Sequence, residues 1–154
     1  MKQNHLWMLL TGFSLLITAA YGAEKQIKKT DMPAVVQKTA DEQSAGAAVR
    51  GYAKDTEDGK LEYEVELVSN GHTKDVTIDP QGNVLEVEEQ VALDAVPANV
   101  RDRLQMRAGK GRITKVESLT KKGNIVAYEA QVMTGGRYSE IQVGPHGEKL
   151  EHEE

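Results

Sequence analysis

The sequence predicts an α+β fold of two tandem α-β-β-β-β units, with an antiparallel sheet and the helices packed on one face. Three observations support this fold class. A motif recurs after about 64 residues, each copy opens on a proline followed by a short apolar stripe at helical spacing, and alternating strands separated by glycine-containing turns follow. Because all the strand connections are hairpins, we expect antiparallel pairing throughout.

The repeat extends over nearly the whole chain after residue 31. Met32–Val36 is echoed by Val96–Val100, and after one extra residue Tyr63-Glu64 is echoed by Tyr128-Glu129. Later matches are Pro80 with Pro145, Gly82 with Gly147, and Leu85-Glu86 with Leu150-Glu151. A chance alignment is the alternative, but a single insertion and evenly spread matches make it a poor explanation.

These boundaries divide the chain into five segments. We predict a signal peptide at 1–22, a linker at 23–31, a first repeat at 32–90, a linker at 91–95 and a second repeat at 96–154.

Each unit is predicted to begin with a helix. Pro33 and Pro97 suit the first helical turn, where a missing N–H costs nothing. Apolar residues four positions apart then give each helix one stripe to bury. These pairs are Val36/Ala40 and Val100/Leu104.

Four strands are predicted to follow each helix, and turn dipeptides such as Asp58-Gly59 and Asn70-Gly71 separate them. The first set is Ala47–Thr56, Leu61–Leu67, Thr73–Asp79 and Asn83–Glu89. The second set is Arg112–Thr120, Val126–Val132, Arg137–Gly144 and Glu148–Glu153.

The first 22 residues have the features of a secretory signal peptide. Lys2 precedes the apolar stretch Leu6–Ala20, and cleavage after Gly22 places Ala20 at the −3 position. An uncleaved anchor is the alternative, but the stretch is shorter than the roughly 20 residues that span a bilayer. We therefore predict a bacterial protein of the periplasm or the medium, with no stable membrane anchor after cleavage.

Composition excludes several kinds of chemistry. The chain has no cysteine, which rules out disulfides, thiol nucleophiles and thiolate metal sites. It has no Gly-x-Ser-x-Gly motif and no pair of histidines at metal-binding spacing. We therefore predict no enzyme activity, no catalytic or metal-binding residues and no cofactor; a hydrolase ranks last among the alternatives.

Charge is unevenly distributed along the chain. Residues 55–94 carry a net charge of −10, whereas residues 101–115 carry +5. Export, the net charge of −5 and scarce aromatic residues argue against nucleic acid as a partner. The acidic half could serve as a docking face for a basic partner or for cations, and the basic stretch could pair with the acidic half or contact an anionic lipid or polymer. We expect the partner to be an envelope or secreted protein or peptide.

The strand Leu61–Leu67 alternates apolar residues with glutamates, so one face of it is acidic. A solvated face that prevents aggregation is one interpretation. Docking of a basic partner, or weak binding of calcium through carboxylate oxygens, is the other. The candidate partner-binding face comprises Glu62, Glu64, Glu66, Tyr52, Glu129 and Tyr138.

The unit resembles the PepSY-like family, and its two-copy arrangement is similar to that of the β-lactamase inhibitory proteins. The resemblance rests on Met32-Pro33, Tyr63-Glu64-Val65, Asp79-Pro80-x-Gly82 and their echoes, over residues 32–154. It implies an exported, non-enzymatic protein that binds or inhibits proteins, often peptidases. The inhibitory proteins carry disulfides and an aromatic-rich concave face, and this chain has neither pattern, so no inhibitory residue is transferred.

Overall fold

The computed structural model describes residues 24–152 and 154, so the predicted signal peptide lies outside the described residues. The strands are β1 (Lys25–Gln26), β2 (Ala48–Glu57), β3 (Lys60–Ser69), β4 (His72–Ile78), β5 (Val84–Gln90), β6 (Arg112–Lys121), β7 (Asn124–Thr134) and β8 (Arg137–Val143). The α-helices are α1 (Ala34–Gln43) and α2 (Ala98–Ala108), and a 3₁₀ turn covers Lys29–Asp31.

The fold is mainly β, and the predicted α+β class with two tandem four-strand units is wrong. All eight strands form one antiparallel sheet in the order β1 to β8, whereas the two helices have only 10 and 11 residues. The sheet is continuous because β5 pairs with β6, from Glu86 opposite Lys121 to Gln90 opposite Glu117. This long-range pairing joins the strands of both predicted repeats in one sheet.

The predicted closing strand Glu148–Glu153 is also absent from the described residues after β8. In β5, Val84 and Val87 pack against the hydrophobic core. The repeat places Lys149 and His152 at the equivalent positions, so a strand there would have no apolar side chains at those positions to bury.

Both helices pack on the same face of the sheet. Val36 and Ala40 of α1 lie on a core that includes Val65, Leu67 and Val76, all fully buried. Val100 and Leu104 of α2 lie on a second core, with Val116, Ala130 and Val143. Each fully buried Val or Leu contributes roughly 1.5–3 kcal/mol, so these two clusters hold the helices in place.

The two prolines expected in the first helical turns lie immediately before the helices. Pro33 and Pro97 are the N-cap residues of α1 and α2, with extended backbone angles, and not the first helical residues. Neither helix, nor any other in the described part of the chain, is long and apolar enough to span a bilayer.

The turns after β4 and β8 are closed by different side chains. After β4, the Asp79 carboxylate accepts a hydrogen bond from the Gln81 N–H at 2.9 Å. After β8, Gly144 stands where the repeat has Asp79, and the Glu148 carboxylate accepts a bond from the His146 N–H at 2.8 Å. A Cβ on Gly144 would lie 2.2 Å from Glu148 Cδ, so the Glu148 side chain fills the space an aspartate would need.

This exchange predicts non-additive stability effects. G144D should destabilise the fold by about 1–2 kcal/mol because it displaces Glu148, and E148A should cost about 1 kcal/mol through the lost hydrogen bond. The double variant G144D/E148A should unfold in urea close to the parent, because the new carboxylate can accept the His146 bond. A double variant whose loss equals the sum of the single losses would contradict this account.

Candidate functional site

The sheet face turned away from both helices is lined by carboxylates. Side chains alternate between the two faces of a strand, and residues opposite each other on paired strands share a face. The register therefore places one series of acidic residues on this side, which we call the acidic face. Its main members are Glu62, Glu64, Glu66, Asp75, Glu86, Glu88, Glu117 and Glu129.

Three of these carboxylates lie directly opposite one another on successive strands. Glu66 of β3 pairs with Asp75 of β4, and Asp75 pairs with Glu88 of β5. Like charges directly opposite in a sheet are destabilising. The pairing of these strands therefore keeps the three carboxylates adjacent despite their mutual electrostatic repulsion.

A lysine compensates part of this charge. Carboxylate oxygens of Asp75, Glu88 and Glu117 all lie within 4.8 Å of one another. The Lys115 Nζ lies 2.6 Å from Glu117 Oε1, and the side chain of Glu117 is only 8% exposed. Burial opposes the charge on Lys115, but its hydrogen bond to Glu117 and the nearby Asp75 raise its pKa. One ammonium group thus faces three carboxyls.

Burial raises the pKa of the carboxyls towards the middle of the face. It raises the pKa of Glu64 to about 8, assisted by the charges of Glu24 and Asp75. It raises the pKa of Asp75 to about 6, where the attraction of Lys115 works against burial. Both carboxyls therefore hold protons at a pH at which exposed carboxyls are ionised.

Burial also raises the pKa of carboxyls on the neighbouring strands. Burial raises the pKa of Glu129 to about 7, although a hydrogen bond from Gln142 Nε2 at 2.9 Å favours its ionised form. Burial, followed by the Glu117 charge, raises the pKa of Glu88 far above its ordinary value. The face therefore gains negative charge as pH rises through the neutral range.

A second lysine links the strands where the two halves of the sheet meet. Lys121 Nζ of β6 lies 3.1 Å from Glu86 Oε2 of β5 and 3.4 Å from Glu154 Oε2. Burial alone would lower the pKa of Lys121, but these carboxylates raise it.

A glycine makes room for the acidic row at the β2 end. A Cβ on Gly51 would lie 3.1 Å from Glu66 Oε1, tighter than most side-chain contacts. Gln26 Nε2 donates to Glu66 Oε1 at 2.9 Å and to Glu24 Oε1 at 3.0 Å. This amide places two carboxylates within one hydrogen-bond network.

Apolar residues also lie on this face and are fully shielded from solvent. Ala53 and Ala127 are 0% exposed and Leu119 is 1% exposed, although both described helices pack on the opposite side. These three side chains therefore add no exposed apolar area to the acidic face.

The structure separates the six residues predicted for a partner-binding face. Glu62, Glu64, Glu66 and Glu129 lie on the acidic face. Tyr138 also points to this side, from β8, and is 43% exposed. Tyr52 lies on the opposite side, where it pairs with Val65 and packs against the first core.

The sequence analysis did not place Asp75, Glu117 or Lys115 among the candidate partner-binding residues. The signal was present, because Asp75 precedes Val76 in an alternating strand and Glu117 follows Val116 in the same way. Their proximity depends on the β5–β6 pairing, which local patterns do not contain.

The raised pKa values predict a stability that falls with pH. Where the folded state binds more protons than the unfolded chain, the free energy of unfolding decreases as pH rises. For Glu64 this window runs from its ordinary value of 4.5 to about 8. We expect the free energy of unfolding of the parent to fall by at least about 1.4 kcal/mol, the equivalent of one pKa unit, between these pH values in urea unfolding.

E64Q should remove a measurable part of this loss, because the amide mimics the protonated carboxyl. E42Q is the matched control, since Glu42 lies on α1 and forms an exposed ion pair with Lys38. Equal pH slopes for the parent, E64Q and E42Q would show that Glu64 carries no proton at neutral pH.

No family model and no curated protein matches the chain. Solved structures do match it. A predicted periplasmic protein of Bacteroides eggerthii has a TM-score of 0.61 at 23% identity, covering 76% of this chain and 84% of that one. A DUF2874 family protein of Bacteroides ovatus has a TM-score of 0.60 at 20% identity, covering 78% and 85%.

A BLIP-like protein of Bacteroides fragilis has a TM-score of 0.56 at 17% identity, covering 80% of this chain and 85% of that one. BLIP-like denotes similarity to the β-lactamase inhibitory proteins. At this level of identity the likeness concerns the fold, and the chain has a BLIP-like fold.

Proposed function

We propose that this chain is a non-catalytic binding protein, exported to the periplasm, that docks a basic segment of a protein or peptide on its acidic face. The observation that carries the proposal is the row Glu66–Asp75–Glu88, in which three strands hold carboxyls directly opposite one another. A cationic side chain placed above the row would relieve their repulsion.

The electrostatics of the face support a basic partner. Burial and the charges of neighbouring carboxylates keep protons on Glu64 and Glu129 near neutral pH, whereas Glu117 is paired with Lys115. An incoming lysine or arginine would replace those protons, and interfaces of this kind gain both specificity and association rate from complementary charge.

Observations other than the acidic face support the proposals that the protein is exported and non-catalytic. Residues 1–22 have the pattern of a signal peptide, and a protein of the same fold from Bacteroides eggerthii is a predicted periplasmic protein. The BLIP-like fold of another neighbour agrees with a binding role. His72, His146 and His152 are exposed, as solvated surface groups are. The PepSY-like resemblance stays a prediction.

Cation binding through the same face is the second candidate function. It is favoured by the mutual distance of the Asp75, Glu88 and Glu117 oxygens, within 4.8 Å. Calcium prefers six to eight oxygen ligands, however, and Lys115 already pairs with Glu117 in this cluster. A basic peptide therefore suits the face better than a metal ion.

Oligolysine is the direct probe for a basic partner. We expect calorimetry to show saturable binding to the parent that strengthens from pH 6 to pH 8, as the Glu64 and Glu129 carboxyls ionise. E64Q/E129Q should bind about tenfold more weakly, the equivalent of about 1.4 kcal/mol. Affinity should also fall with added salt, because charge pairs at a surface are screened.

The control E42Q removes one negative charge on the helix side and should bind like the parent. Binding that is equal in the parent, E42Q and E64Q/E129Q would place the peptide elsewhere and contradict the proposal. Calcium, titrated alone, separates the second candidate: a raised melting temperature in the parent that E88Q abolishes would favour cation binding instead.

A further inference from the structure

A cleft lies at the end of the sheet where β3 begins and where the turn after β4 leads into β5. Its volume is about 460 Å³, within the range of roughly 300–1,000 Å³ that is typical of ligand pockets. Its apolar lining consists of Leu61, Pro80 and Leu85. Leu61 is 38% exposed, so part of this apolar surface is open to solvent.

The polar lining of the cleft is mainly acidic. It consists of Lys60, Glu62, Asp79 and Gln81. Lys60 lies opposite Glu57 of β2, across the turn between the two strands. Burial, followed by the charges of Glu57 and Glu86, raises the pKa of Glu62, so further carboxylates surround this rim. A cationic group at the rim would therefore meet a net negative charge.

The cleft is continuous with the acidic face through Glu62. This residue lines the cleft and also belongs to the series of carboxylates on the face. Glu64, the next residue of β3 on that face, lies about 7 Å further along, because a strand rises by roughly 3.3 Å per residue. An extended peptide has the same rise, so a residue seated in the cleft would place the side chain two positions away near Glu64.

The repeat shows that the fold does not need a carboxylate at this rim. The positions equivalent to Glu62 and Asp79 hold Ala127 and Gly144 in the second half of the chain. Ala127 lies within β7, so a strand forms at this position without an acidic side chain. A carboxylate that the strand does not require is available for recognition.

We propose that this cleft anchors the basic segment of the partner by an aliphatic side chain, with a lysine or arginine two positions away on the acidic face. This inference rests on the proposed function and specifies the segment that the face recognises. The aliphatic side chain covers Leu61 and Leu85, and the cation lies between Glu62 and Glu64. A side chain that fills a pocket contributes more affinity than contacts at the rim of an interface.

Two nine-residue peptides test this specificity. Both consist of lysine, with a central leucine in one and a central alanine in the other. We expect the leucine peptide to bind the parent roughly tenfold more tightly in calorimetry, because its larger side chain buries apolar area in the cleft. It should also shift the methyl resonances of Leu61 and Leu85 more than the alanine peptide does.

L61S removes the exposed apolar wall of the cleft. It should reduce the preference for leucine to about twofold and bind the alanine peptide like the parent. V49S is the matched control and should keep the full preference, since Val49 is 40% exposed and lies opposite Leu67, at the other end of β3. E62Q should weaken both peptides alike, because it removes charge and leaves the apolar lining intact. Circular dichroism and thermal melting establish that each variant is folded.

The outcomes separate this inference from the proposed function. Equal affinity of the parent for the two peptides overturns the aliphatic anchor and leaves the basic-partner function standing. A leucine preference that L61S retains as fully as V49S places the leucine elsewhere and overturns the anchor as well. Failure of both peptides and of oligolysine to bind the parent overturns the proposed function itself.

Discussion

The pairing of β5 with β6 is the constraint on which the rest of the structure depends. It joins eight strands into one sheet and brings Glu88 of β5 beside Glu117 of β6, each on a strand that carries its own apolar residues on the other side. The apolar side chains of these strands are buried in the cores on the helix side. Because side chains alternate along a strand, the carboxyls between them lie on the opposite face. Protons and Lys115 then compensate for their mutual repulsion.

The two faces of the sheet have different physical roles. The helix side supplies stability through buried residues such as Val65, Val76, Val116 and Ala130. The acidic face costs stability at neutral and higher pH, because Glu64 and Glu129 resist ionisation. The basic partner proposed above would neutralise part of this charge.

Local sequence patterns predicted much of this arrangement. Period-two alternation placed Glu62, Glu64 and Glu66 on one side of a strand, which is where the structure has them. It could not place Tyr52, because the β2–β3 register shifts between Val49 and Gly51 and sets the face of every residue that follows. A bulge of this kind depends on the partner strand as well as on the local sequence.

The repeat led to a wrong prediction of a closing strand at Glu148–Glu153. Leu150-Glu151 echoes Leu85-Glu86, but Lys149 and His152 replace the two valines that anchor β5 in the core. The described residues after β8 therefore form no closing strand. Local sequence patterns also could not predict the single sheet, because the β5–β6 pairing joins residues about 30 positions apart.

The most direct test of the account is the titration of individual carboxyls, followed by the ¹³C chemical shifts of glutamate side chains in the folded protein. The account predicts midpoints near 8 for Glu64 and near 7 for Glu129. Midpoints near 4.5 for both residues would contradict it, because the face would then consist of ordinary solvated carboxylates.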